Sequence, residues 1–208
     1  ISEQMRIDSS GNVGIGTSAP ASLLSLEATQ ESDAGIQITL NADLDSQAPQ
    51  LTFLRAAADG STVDDGDVLG QVKFGGYDSN SFEVNAKIDA VVNGSPSNNV
   101  MPIDMNFYTS SAGTPVLAMT IDKSQKVGIG TAAPSTYNGN ANNLVVAGTG
   151  HEGITIVSGT TNQGAIHFAD GTSGNASYRG YITFQHGDAA DETLTFVTSD
   201  NIKLKLDA

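Results

Sequence analysis

Residues 5–20 read MRIDSSGNVGIGTSAP, and residues 119–134 read MTIDKSQKVGIGTAAP. The two stretches lie 119 − 5 = 114 residues apart and share Met, Ile, Asp and Ser, then Val-Gly-Ile-Gly-Thr and Ala-Pro. Self-similarity of this kind is the signature of a repeat architecture, in which no unit buries its apolar face alone. Val13-Gly14-Ile15-Gly16-Thr17 and Val127-Gly128-Ile129-Gly130-Thr131 alternate branched apolar residues with glycine. In an extended chain this puts Val13 and Ile15 on one face and the glycines on the other. Glycine weakens a strand, so its repeated use implies a close backbone approach, a bend or a positive φ. Approach by a neighbouring chain is the expected reason. Pro20 and Pro134 then end ladder pairing and turn the chain.

The material after each copy also aligns. Gly35-Ile36-Gln37-Ile38 answers Gly153-Ile154-Thr155-Ile156, and Gly70-Gln71-Val72-Lys73-Phe74 answers Gly180-Tyr181-Ile182-Thr183-Phe184. Asn106-Phe107-Tyr108-Thr109-Ser110 answers Thr195-Phe196-Val197-Thr198-Ser199. The chain closes on Leu204-Lys205-Leu206-Asp207, which reads as a third Met-Arg-Ile-Asp, 204 − 119 = 85 residues after the second. The sequence divides into residues 1–20, the end of one cassette with the first glycine motif, and 21–134, a full cassette ending in the second. Residues 135–208 form a further cassette, cut short at a third motif. The sequence is therefore expected to be part of something longer.

Aromatic residues make up only 6% of the 208, Trp is absent and there are 23 glycines. Such a chain builds thin β layers rather than one deep core. Residues 36–40, 72–74, 86–92, 165–168, 182–184 and 202–206 alternate and are rich in β-branched or aromatic side chains, which predicts strands. Turns are predicted at Asp59-Gly60, Gly75-Gly76, Asn93-Gly94, Asp170-Gly171 and Gly187-Asp188. Residues 21–28 and 51–58 carry some helical propensity, but both are short and read as strand or irregular. The absence of Cys removes disulfides and thiolate metal sites. No run approaches the roughly 18 apolar residues of a membrane helix. Ile1-Ser2-Glu3-Gln4 lacks the basic and apolar regions of a signal peptide. A net charge of −14 repels phosphate backbones, so nucleic acid is not an expected partner.

MRIDSSGNVGIGTSAP resembles the recurring segment of bacteriophage tail fibres and related trimeric fibre proteins. The resemblance covers both copies and, more loosely, the strands between them. It implies an all-β, elongated homotrimer, three parallel chains around one axis in a β-prism or β-helix-like shaft of repeated cassettes. Stacking three chains would bury apolar faces and cover strand edges. A trimer would carry 3 × (−14) = −42 charges, which favours solubility. The implied role is a structural shaft segment of a virion tail fibre, working outside the cell without catalysis or cofactor. Its partners would be itself, neighbouring fibre segments and a host receptor met through a tip outside these residues. Some such segments precede a self-cleaving chaperone domain, which no stretch here resembles. Three alternatives stay open: a receptor- or glycan-binding module in loops 56–68 and 93–102, a polysaccharide-degrading tailspike, and a bacterial surface fibre.

Other residue patterns invite chemical readings. Gly14-x-Gly16-x-x-Ala19 and Gly128-x-Gly130-x-x-Ala133 satisfy a dinucleotide fingerprint, but that chemistry needs a following helix, and each Ala is followed by proline. Asn41, Asp43 and Asp45 resemble the start of a calcium loop; Ser46 stands where glycine is needed and Thr52 where Glu would close it. Asp59, Asp64, Asp65 and Asp67 crowd one loop, which reads as solvated rather than metal-binding. His151, His167 and His186 are too widely spaced for a local metal motif. His167, Asp170 and Ser173 match a triad by residue type alone, and a solvent-facing His167 is the expected arrangement. Arg55, Tyr77, Tyr108, Tyr178 and Tyr181 could stack on sugars but form no local cluster in sequence. Asn175-Ala176-Ser177 is a formal glycosylation acceptor only.

Overall fold

The computed structural model describes residues 4–28, 36–39, 48–187, 192–199 and 201–207. Two compact units, Ile1–Arg55 and Ala56–Ala208, make up the chain. Every regular element among the described residues is a β-strand, apart from two short 3₁₀ turns, Pro134–Thr136 and Gly174–Tyr178.

The first unit holds β1 (Met5–Ile7), β2 (Val13–Ile15) and β3 (Leu24–Leu26) in one sheet. β1 and β2 are antiparallel, whereas β2 and β3 run parallel. In the second unit, β4 (Val68–Tyr77), β5 (Phe82–Val92), β6 (Ile103–Thr109), β7 (Val116–Ile121), β8 (Val127–Ile129) and β9 (Leu144–Val146) form a six-stranded sheet in chain order. It is an antiparallel meander up to β8, after which β9 returns parallel to β8. A four-stranded antiparallel sheet follows, made of β10 (Gln163–Phe168), β11 (Gly180–Gln185), β12 (Thr193–Thr198) and β13 (Asn201–Asp207).

Short polar side chains close the hairpins. Asp78 Oδ1 accepts the amides of Asn80 and Ser81 between β4 and β5. Asp122 Oδ1 accepts those of Ser124 and Lys126 between β7 and β8. Carboxylates that bond backbone two residues on are the usual chemistry of such turns.

The predicted strands at 72–74, 86–92, 165–168, 182–184 and 202–206 lie inside β4, β5, β10, β11 and β13. Three expectations are corrected. Residues 36–39 are not in a strand, and Leu40 lies outside the described residues. Gly75-Gly76 is not a turn: both pair with β5, just past a bulge after Phe74, and the chain reverses at Asp78–Ser81 instead. A doublet of glycines fits a bulged strand as readily as a turn.

The third correction concerns the alignment of the cassettes. Ile182 pairs with Phe196 as Ile88 pairs with Phe107, so β11 and β12 occupy the places of β5 and β6. Ile166 pairs with Ile182 as Val72 pairs with Ile88. The counterpart of Gly70-Gln71-Val72-Lys73-Phe74 is therefore Gly164-Ala165-Ile166-His167-Phe168, not the Gly180 segment. Even the β-bulge recurs, between Phe107 and Tyr108 and again between Phe196 and Val197.

Candidate interaction surface

Val13, Gly14 and Ile15 form β2, and Val127, Gly128 and Ile129 form β8. Their registers coincide at the 114-residue offset. Met5, Arg6 and Ile7 face Ile15, Gly14 and Val13, while Met119, Thr120 and Ile121 face Ile129, Gly128 and Val127. The parallel neighbours match too: Val13 lies beside Leu24 and Val127 beside Leu144.

The glycines serve contacts within their own chain. Gly16 and Gly130 have φ of +76° and +73°, and a Cβ on either would overlap the carbonyl oxygen of Glu27 or Ala147. Those are the residues whose amides bond Ile15 and Ile129 in the parallel pairs. At Gly14 and Gly128, a Cβ would run into the carbonyls of Thr17 and Thr131. Thr17 and Thr131 each accept the amide of the Ala two residues on, starting the crossover. Pro20 is half-buried; Pro134 is buried and opens the first 3₁₀ turn. The amides of Gly16 and Gly130 bond the carbonyls of Gln4 and Ala118, so they complete a ladder rather than form a phosphate cradle.

The second crossover is held by side chains. Ser135 donates its hydroxyl to Asp122, and the Lys126 ammonium bonds the Asn142 side chain, whose amide reaches the Tyr137 carbonyl. Burial raises the pKa of Asp122. The Ser135 hydroxyl, the amides of Lys126 and Ser124 and the Lys126 charge outweigh it, leaving the carboxyl below its ordinary 3.8.

Each large sheet has one apolar face, and that face is the open one. In the six-stranded sheet, register places Phe74, Ile88, Met105, Met119 and Ile129 on one side, with Phe74 56% and Met105 39% exposed. The opposite side carries Asp89, Asp104, Asn106 and Thr120, all buried. The four-stranded sheet repeats the pattern. Ile166, Phe168, Phe184, Leu204 and Leu206 are open, while Thr183 and Thr195 are buried. Among the described residues the buried hydrophobic side chains are Val63, Val92, Val145 and Val197. No deep apolar core exists among the described residues, and many of the large apolar side chains are exposed.

Other candidates resolve into structural roles. Asp59 accepts the Ser61 amide, and bonding to Ser61 holds its carboxyl low. Asp67 accepts the amide of Asp64, and Asp65 accepts that of Gly94, which ties loop 56–68 to loop 93–102. Among the described residues no group of three His, Cys, Asp or Glu is placed to hold a metal. Asn41, Asp43, Asp45 and Ser46 lie outside the described residues. His167 is exposed and stacks on Tyr181, 5.3 Å between ring centroids, whereas Asp170 pairs with Arg179. Tyr77 does meet an aromatic partner, Phe82, edge to face at 5.3 Å across the β4–β5 hairpin tip. They are five residues apart across the Asp78–Ser81 reversal; the sequence reading put the turn at Gly75-Gly76 instead and so missed the pair.

No protein-family model matches the chain, and no curated protein matches it. Solved structures do. The chain is similar to the carboxy-terminal domain of the bacteriophage T5 L-shaped tail fibre, at 9% identity and a TM-score of 0.49, over 83% of this chain and 86% of that one. It is also similar to the same domain with its intramolecular chaperone domain, at 11% identity and a TM-score of 0.50, over 83% of this chain and 59% of that one. The latter likeness is one of all-β fold.

Proposed function

We propose that this chain is a structural segment of a phage tail fibre, a homotrimeric shaft that carries a receptor-binding tip and has no catalytic role of its own. The observation that carries this reading is the pair of apolar faces left open on both large sheets. Open apolar faces of this extent mark interaction surfaces, and further copies of the chain would cover them. The fold likeness to a tail-fibre domain supports the same reading, as does the repeated glycine motif. In this reading the protein works in the virion tail, outside the cell, joined to neighbouring fibre segments.

Sedimentation equilibrium at micromolar concentration tests the assembly. A trimer that persists on dilution is expected, and a stable folded monomer would overturn the proposal. The exposed Tyr77–Phe82 pair, with Phe82 81% exposed, favours a second reading in which this segment itself touches a host surface. The shaft reading expects no saturable binding of the purified protein to host cells. Binding that competes with infection and is lost in Tyr77→Ser/Phe82→Ser would decide for the second reading.

A further inference from the structure

The outer edge of β13 is built like the edge of β7 that carries β8. β12 and β13 superpose in register on β6 and β7. Leu194–Leu206, Thr195–Lys205 and Phe196–Leu204 replace Met105–Ile121, Asn106–Thr120 and Phe107–Met119, with the bulge at the same step. In the six-stranded sheet the next strand is the glycine strand β8; in the four-stranded sheet β13 is an edge, exposed along its whole length. We infer that this edge is a strand acceptor, specific for a segment of alternating branched residues and glycine of the Val-Gly-Ile-Gly kind.

The chemistry of the edge selects that occupant. An unpaired strand edge offers a row of amides and carbonyls to any extended peptide, and its side chains decide which one fits. In the two existing sheets, the residue opposite the central glycine is Arg6 or Thr120; on β13 it is Lys205. Leu204-Lys205-Leu206-Asp207 thus repeats Met5-Arg6-Ile7-Asp8: long apolar, basic, branched apolar, acid. In both existing cases the central glycine is required by its own segment, where a Cβ would meet the carbonyl of Thr17 or Thr131, so a segment that follows the same course along β13 carries glycine opposite Lys205. The flanking Leu204 and Leu206 are 48% and 51% exposed and would gain an Ile and a Val as partners. The ladder has defined ends as well. Ala118 O and Asp122 N bond β8, so their counterparts Lys203 and Asp207, with Lys205 between, present the outward groups. This inference concerns an edge, not the apolar faces, and does not depend on the trimer.

The test adds a synthetic peptide of this chain's own residues 123–147 to the intact protein and follows amide hydrogen exchange. Near nine-tenths occupancy, the amides of Lys205 and Asp207 are expected to slow about tenfold. A peptide carrying Gly128→Val should give no protection at the same concentration. Unchanged exchange on β13 at saturating peptide, protection confined to other edges, or equal protection by the Gly128→Val peptide would each overturn the inference. Sedimentation run alongside keeps the question of assembly separate from the outcome.

Discussion

At the scale of single residues, the two glycines of each motif differ in function. Gly130 sits at φ +73° with the Ala147 carbonyl where a Cβ would be, so Gly130→Ala combines left-handed strain with a clash. The strain alone costs about 1–2 kcal/mol per chain, and calorimetry should show a clear fall in melting temperature. Gly139→Ala, where nothing lies within 4 Å and φ is not positive, should change it little. Gly171 is a poorer comparison than its Asp-Gly sequence suggests, because a Cβ there would press on Ala176. Asp122 gives a pH-dependent counterpart. Its folded pKa lies below 3.8, so the folded state binds its proton less readily than the unfolded chain. The stability it contributes is fully present above about pH 4 and is lost as pH falls through the lower, folded value. Thermal melts from pH 6 down to pH 2.5 should therefore show a decline that is shallower in Asp122→Asn. The need for glycine was legible in the alternation of the motif, but its cause was not. The opposing carbonyls belong to Glu27 and Ala147, 11 and 17 positions downstream of Gly16 and Gly130, and nothing in the intervening sequence marks them.

At the scale of elements, apolar–polar alternation identified the interiors of β4, β5, β10, β11 and β13, since side chains in a strand point to opposite faces in turn. It could not say which face is covered. Here the polar row Asp89, Asn106 and Thr120 lies buried while Met105 on the other side is open, the reverse of an ordinary half-buried sheet. Alignment by sequence misassigned Gly70–Phe74 because a Gly-x-branched-x-Phe pattern occurs twice in the later cassette, at Gly164 and at Gly180. Only strand order separates the two. The open face supplies its own prediction. Met105→Asp leaves a lone chain nearly undisturbed but would bury an unpaired carboxylate in an assembled one, costing about 3 kcal/mol or more. Sedimentation should show dissociation with the strand signal in circular dichroism retained. Lys73→Ser, at an exposed position on the opposite face, should leave assembly unchanged.

For the whole molecule, the expected trimer remains the decisive measurement, and its charge makes salt a further lever. Each chain carries −14, so close packing of copies meets electrostatic resistance that added salt screens. Melting temperature is accordingly expected to rise from low to physiological ionic strength, measured by scanning calorimetry; a fall would mean that attractive ion pairs dominate the contacts. The all-β class was legible from composition, whereas sheet boundaries were not, because each glycine strand takes a further parallel partner, β3 or β9, from beyond the proline that follows it. That strand order has a consequence in time. From β5 to β8 every strand pairs with its immediate predecessor, and β9 returns to β8 after a crossover of 14 residues, 130–143. Pairings so near in sequence close small loops and form fast. Each sheet can therefore form as soon as its own last strand is made, ahead of any association with other copies. Under the proposed trimer, the newly made chain would present a finished apolar plane before its partners arrive, and synthesis on neighbouring ribosomes of one message would shorten that exposure.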